Sequence, residues 1–404
     1  MAMSDNKKRS ETVISTKKNK NYRIYLNNTE NPKIIFWNFD TNYKYSVECE
    51  KSICDVHHTE SVEMLRPDGE GAYVFYASTI DFNNLPLPRN PKKMIWALIH
   101  EESPKNIAEF THEKALNLFN FSSTFSRHSN VPFPLQHMGS LEHITNQKYF
   151  VKTTTKNQAL RELSPILYMQ SICDSLTERD KYVKELMKFQ HIDSYGDCLK
   201  NKHSTKYSKR KGYDYLNNLW EENLLRFIAR YKFVITIENG VCHDYVSEKF
   251  WRAIHVGVVP IYFGSPTIRD WLPNEKSAIL LEDYPKPKLL SQHLNKLMQD
   301  DDLYEEYLEH KTMGKITNKK LIDELRIRPY QTDHLKNERS FICLLCKKLH
   351  EKEKGVNIVT TSHYNCPKPI SALSQKVELN NKWTGTWEYG KLNAKTLHDL
   401  IMPS

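Results

Sequence analysis

Phe233 to Pro266 reads FVITIENGVCHDYVSEKFWRAIHVGVVPIYFGSP. Phe233–Ile237 is an unbroken apolar run, as expected of a strand covered on both faces. A helix is predicted from about Val246, with Phe250, Trp251 and Ile254 on its buried side and Gly257 as its stop. Val258–Phe263 is a second strand and Gly264 ends it. Strand, helix and parallel strand in about thirty residues make a βαβ unit, and the fold class follows from it. The connection also carries Glu238, Asn239, Asp244, Tyr245, Glu248 and Lys249, far more hydrogen-bonding chemistry than a turn needs.

The same alternation runs through the chain. PKIIFWNF, AYVFYAST, KMIWALIHEESP and FNFSSTFSRHSNVPF read as strands breaking into polar loops. A second series starts near residue 165. It comprises the strand PILYMQSICD, the helix LTERDKYVKELMKFQ, the strand HIDSYGDC, the helix LLRFIARY, the strand SAILLEDY and a long amphipathic helix through LLSQHLNKLMQDDDLYEEYLEHK. The expectation is two α/β domains, at residues 21–164 and 165–330, after a basic disordered tail at 1–20 and before a cysteine-containing extension at 331–404. Strand-end polar residues collect on the rim where α/β sheets bind ligands.

The 404 residues carry a formal charge of +9. Residues 1–20 contribute +4 and residues 200–212 contribute +6, so the remainder is near −1. A near-neutral body, and a basic loop with Tyr207 as its one aromatic, argue against nucleic acid. No apolar run is long enough to span a membrane and no signal peptide is visible. Asp300-Asp301-Asp302 falls within the long amphipathic helix and reads as a solvated face, not as a metal site.

A helix N-terminus favours anions, and Lys249 in its first turn adds to that. Glu248 beside it suits a ribose diol, which a carboxylate bonds twice. No glycine-rich phosphate fingerprint is present, which disfavours a plain NAD site or P-loop.

The stretch 237–266 resembles the donor-binding signature of the α1,3-fucosyltransferases, glycosyltransferase family ten. It matches at Glu238, Asn239, Asp244, Tyr245, Glu248, Lys249, Gly257, Pro260 and Gly264. HEESPKN, FNFSSTFSRHSN, ERDKYVKEL, DSYGDCLKNK and FICLLC extend the similarity over about residues 33–350. HEESPKN, TFSRHS and EKFW look closest to the fucosyltransferase ten and eleven branch, associated with O-fucosylation of EMI modules in the endoplasmic reticulum.

The resemblance implies two Rossmann-like domains facing across a cleft, the B-type glycosyltransferase fold. It implies inverting transfer of fucose from GDP-fucose, with no required metal or other cofactor. Lys249 and Arg179 would hold the diphosphate, Glu248 the ribose, and Asn239, Tyr245, Glu238 and Ser171 the rest of the donor. Glu102 would be the base with Glu101 as rival, since neighbouring carboxylates raise one another's pKa. Arg127 and Ser129 would lie on the acceptor side. Glycan α1,3-fucosylation and a fold-keeping pseudoenzyme are the alternative readings. The family also implies the endoplasmic reticulum or Golgi lumen, where disulfides are favoured over zinc.

Eight cysteines leave two readings open: zinc spacing at Cys343, Cys346, His350, His363 and Cys366, or disulfides, with Cys49 and Cys54 as a local pair. Asn27 and Asn120 sit in glycosylation sequons.

Overall fold

The computed structural model describes residues 31–37, 43–59, 71–133, 138–202, 219–351 and 357–402. Asn27, the tail at 1–20 and residues 203–212 of the basic loop lie outside them. The chain divides into two compact units. One is Met1–Phe133 with Asp333–Asn365 and Trp387–Ser404; the other is Pro134–Thr332 with Cys366–Thr386.

The first unit is built on a six-stranded sheet ordered β2-β3-β1-β4-β5-β6. The strands are β1 (Lys33–Trp37), β2 (Tyr43–Cys49), β3 (Ser52–Thr59), β4 (Gly71–Tyr76), β5 (Met94–His100) and β6 (Phe121–Thr124). All neighbours are parallel except the β2–β3 hairpin. Sequence reading missed that hairpin, because YKYSVEC buries only two of its seven positions and gives no clean apolar run. Phe75, Trp96 and Phe119 meet in tilted and edge-on pairs at the centre of this core.

The second unit holds a fully parallel sheet ordered β11-β10-β9-β7-β8. Its strands are β7 (Ile166–Gln170), β8 (Ile192–Gly196), β9 (Phe233–Ile237), β10 (Val259–Phe263) and β11 (Ile279–Leu280). Alternation along β9 explains its continuous apolar run. Phe233, Ile235 and Ile237 enter one core and Val234 the other, so both faces are covered. The helix after β9 spans Glu248–Val256, two residues later than expected. Gly257 stops it at φ 69°, where a Cβ would also lie 2.4 Å from the Phe150 ring.

The division falls at residues 133 and 134, before the expected boundary at Pro165. Residues 138–164 pack on the second sheet's unit. Buried Lys156 donates to the carbonyls of Tyr231 (2.9 Å) and Gly257 (2.7 Å), and Gln147 donates to the Lys311 carbonyl. The 331–404 stretch is likewise no separate body, being shared between the units.

The long helix expected through 289–311 is broken. Pro287–Gln299 ends at Asp300, whose carboxylate caps a second helix, Asp301–Glu305, by accepting from Leu303 N at 3.1 Å. Asp301 is not a free solvated acid: it accepts from Asn157 Nδ2 at 2.8 Å and pairs with Lys232 at 3.5 Å.

All eight cysteines are paired, as Cys49–Cys343, Cys54–Cys346, Cys173–Cys198 and Cys242–Cys366. The local Cys49–Cys54 pair is therefore incorrect. The hairpin places Cys49 opposite Ser52 and Cys54 opposite Val47. The helix His334–His350 presents Cys343 and Cys346 three residues apart, one to each strand. These bonds consume the thiols of the zinc reading. No helix among the described residues is long and apolar enough to cross a membrane.

Candidate active site

At the carboxyl end of β9 the chain turns into the helix Glu248–Val256, and one buried carboxylate organises the turn. Glu238 is fully buried, and its two oxygens accept from Ser247 N and Ser247 Oγ, at 2.7 Å each. Burial pushes its carboxyl up, opposed by Lys249 and by the Ser247 bonds. Gly264 makes room for it, since a Cβ there would lie 2.6 Å from Glu238 Cγ.

Lys249 Nζ lies 3.6 Å from Glu238 and 3.5 Å from Glu248, and donates to Ser247 Oγ at 3.0 Å. Arg252, one turn on, places Nη2 3.8 Å from Glu248. Burial would raise the Glu248 carboxyl, but Lys249 and Arg252 together hold it below its ordinary value. The helix start thus offers an ionised carboxylate and a largely buried ammonium, its side chain 15% exposed, on adjacent residues.

Asp244 is the hinge of this loop, at φ 64°. Its amide donates to Ser265 Oγ and Thr267 Oγ1, and its carboxylate accepts from Thr267 Oγ1 and Trp271 Nε1. Sequence reasoning did not find this role for Asp244, nor Ser247, Ser265 and Arg252. The one signal was a polar residue in a loop that a bulky side chain could not follow.

Other expected donor residues are placed differently. Arg179, 2% exposed, opens the helix Arg179–Leu186 and turns its guanidinium to main-chain carbonyls, Nη1 to Ile237 at 3.3 Å and Nη2 to Ile172 at 2.6 Å. Its Nε is buried without a hydrogen-bond partner among the described residues. Tyr245 is wholly buried, so its ring is core rather than surface. Asn239 is half-buried, and its carbonyl takes Leu176 N at 2.9 Å. Ser171 is exposed just past β7.

In the first unit, β5 delivers His100, Glu101 and Glu102 to the end of its sheet. Glu102 is half-buried. Glu101 is buried, accepts from Tyr76 Oη at 2.9 Å through Oε1, and leaves Oε2 without a partner among the described residues. Burial pushes its carboxyl up to about 7 and Glu102 adds to the rise, against the Tyr76 bond. Ser129 is not free to meet an acceptor. Its hydroxyl bonds Ser122 Oγ and accepts from Thr124 N, both at 2.8 Å, closing the turn after β6. Arg127 in that turn is half-buried. Asn120 is buried, and its amide is used by Trp96 N, Arg89 and the Asn357 carbonyl, which contradicts its reading as a glycosylation acceptor in the folded chain.

Residues 29–136 match the family described as "Fucosyltransferase, N-terminal", and residues 160–363 match "Glycosyltransferase family 10 (fucosyltransferase) C-term". The alpha-(1,3)-fucosyltransferase B of Drosophila melanogaster is 40% identical over 382 residues, covering 91% of this chain and 84% of the relative. The human GDP-fucose protein O-fucosyltransferase 3 is 38% identical over 347 residues, covering 82% and 71%. Among solved structures, an alpha1,3-fucosyltransferase aligns at TM-score 0.45 and 14% identity, over 77% of this chain and 93% of that one. The match to both family regions and the relatives' identity agree: this chain belongs to glycosyltransferase family 10, the fucosyltransferases.

Proposed function

We propose that the chain transfers fucose from GDP-fucose to an acceptor hydroxyl with inversion. The observation that carries this is the helix start after β9. There a buried Glu238 fixes Ser247, so that ionised Glu248 and partly buried Lys249 stand together at the end of a parallel strand, in a chain of this family. Glu248 accepts the ribose hydroxyls. Lys249 and the helix dipole neutralise the diphosphate. The acceptor oxygen attacks the anomeric carbon, the bond to the diphosphate breaks, and its electron pair leaves with GDP. Glu102, the more exposed of the two carboxylates, takes the acceptor proton. Arg179 acts on the donor by tying the ends of β7 and β9 together, and Asn239 borders the nucleotide.

The acceptor is a Ser or Thr hydroxyl of a folded protein module, EMI modules favoured. Relatives named GDP-fucose protein O-fucosyltransferase 3 support a protein hydroxyl as the acceptor. The name of the fly relative supports α1,3 transfer, and N-acetylglucosamine in glycans is the second reading. Four disulfides fit an oxidising compartment, and the endoplasmic reticulum or Golgi lumen is where we place the reaction. The deciding experiment incubates the protein with labelled GDP-fucose and either an EMI module or N-acetyllactosamine. Label on the module supports the protein acceptor and label on the sugar the second reading. Failure to bind GDP or turn over GDP-fucose overturns both.

A further inference from the structure

One turn beyond Glu248 the same helix carries a second buried cation that the donor chemistry leaves without a task. Arg252 is 5% exposed and sits among apolar neighbours. Phe250, Trp251 and Ile254 enter one core and Ala253 another. Arg252 itself lines a small cavity with Leu167, Met169, Ile228 and Val234. A charge in such a setting is costly unless its donors are met. Here they are met only in part. Nη1 donates to the buried Leu219 carbonyl at 3.2 Å, while Nε is buried without a hydrogen-bond partner among the described residues. Stability alone would favour an apolar side chain, so the reason for a guanidinium lies in what its charge meets.

Its charge meets Glu248. Arg252 Nη2 lies 3.8 Å from Glu248 Oε1, and both side chains are almost wholly buried. Lys249 Nζ lies 3.5 Å from the same oxygen, so neither pair uses Oε2. The two cations differ in their freedom. Lys249 is shared with Glu238 and Ser247, and it stands in the first turn, where a diphosphate would draw it. Arg252 follows Glu248 by four residues, on the same helix face, and is tied at its far side to Leu219. It lies too deep to serve a phosphate. Arg252 is therefore the cation that stays on Glu248 when a nucleotide takes Lys249. All of these residues belong to the second unit.

We infer that Arg252 is a positioning residue, which holds Glu248 by Oε1 while Lys249 turns to the diphosphate, and so makes the site selective for a nucleotide with an intact ribose diol. This deepens the fucosyl-transfer reading and rests on its assignment of Glu248 to the ribose. What it adds is that the selectivity is set by a residue that does not touch the ligand.

The test is calorimetric titration of GDP and of 2′,3′-dideoxy-GDP into full-length wild type, Arg252→Gln, Glu248→Gln and the double variant, with thermal melting of each. Wild type is expected to prefer GDP by about 10- to 100-fold, the scale of a lost hydrogen bond to a charged group. Arg252→Gln lowers that preference about tenfold by weakening GDP, while its affinity for the dideoxy nucleotide stays within about twofold of wild type. The double variant binds GDP no more weakly than Glu248→Gln alone, because Arg252 acts through Glu248. Should Arg252→Gln melt too low to titrate, Arg252→Lys takes its place. It keeps the charge but loses the fork that reaches Leu219 and Glu248 at once, and shows the same loss of preference in smaller measure. Equal weakening of both nucleotides, or a loss in the double variant that adds to that of Glu248→Gln, overturns the inference. Wild type that binds both nucleotides alike also overturns it and leaves fucosyl transfer standing. Wild type that does not bind GDP overturns the fucosyl-transfer reading and the inference with it.

Discussion

Glu238 accepts both hydrogen bonds that Ser247 can give it, from the amide and from the hydroxyl, at 2.7 Å each. A carboxylate expected to touch the donor is instead the brace behind the residues that would. Replacing it with Gln sets an NH₂ group against one of those donors, at a position 0% exposed. Glu238→Gln should cost about 1–3 kcal/mol of stability and weaken GDP binding roughly tenfold without removing a ligand. Thermal melting and calorimetric GDP titration read the two effects. Unchanged GDP affinity in a destabilised protein would show that the brace serves folding alone.

Lys249 has two duties, and they separate with pH. It neutralises the diphosphate in the proposed reaction, and it is the largest influence holding the Glu248 carboxyl down. Lys249→Ala should lower kcat/KM by about 10²- to 10³-fold, the scale seen when an oriented charge partner is lost. A depressed carboxyl contributes stability above its ordinary value that is lost as pH falls through the lowered folded value. Without Lys249 that loss begins at higher pH. GDP affinity should therefore stay flat into mild acid in wild type and fall earlier in the variant, measured by titration at several pH values.

Glu101 works in the opposite sense. Its folded value, about 7, lies above its ordinary 4.5. The folded chain holds that proton more tightly than the unfolded chain, so the contribution is complete below about 4.5 and is lost as pH rises through about 7. Over that window the loss is on the order of 3 kcal/mol. Glu101→Gln keeps the neutral shape and should flatten this component of the melting-temperature profile between about pH 4.5 and pH 7. A variant profile as steep as wild type would assign the slope elsewhere.

How legible all this was depends on the period of the signal. The parallel strands showed as apolar runs because both faces of β9 and β10 are buried, and Gly257 marked a helix stop that only a left-handed residue fits. The β2–β3 hairpin was invisible, since one exposed face dilutes its pattern. That charged residues gather at the end of β9 was readable, because such residues stand out after an apolar run. The division of labour within it was not. Whether Glu238 or Glu248 faces outward depends on Ser247 and Gly264, and whether Arg179 meets solvent depends on the carbonyls of Ile172 and Ile237. Those are partners that only tertiary structure supplies. Cysteine pairing failed for the same reason: proximity in sequence was a poor guide where a helix some 290 residues away was the true neighbour.

That pairing makes a last prediction. Cys49–Cys343 and Cys54–Cys346 are separated by 294 and 292 residues, yet they begin five residues apart and end three apart. Either bond alone closes the long loop. With one in place, the other closes only the small ring formed by the two short segments. Loop entropy grows with the logarithm of ring size, so the bonds cannot contribute additively. Cys49→Ala/Cys343→Ala should cost roughly 2–3 kcal/mol, and so should Cys54→Ala/Cys346→Ala. Removing all four cysteines should cost well over twice either value, because only then is the long loop released. Denaturant unfolding of the three variants under non-reducing conditions measures this. Strict additivity would mean that strain or residual structure, rather than chain entropy, governs how the hairpin and the helix His334–His350 are held.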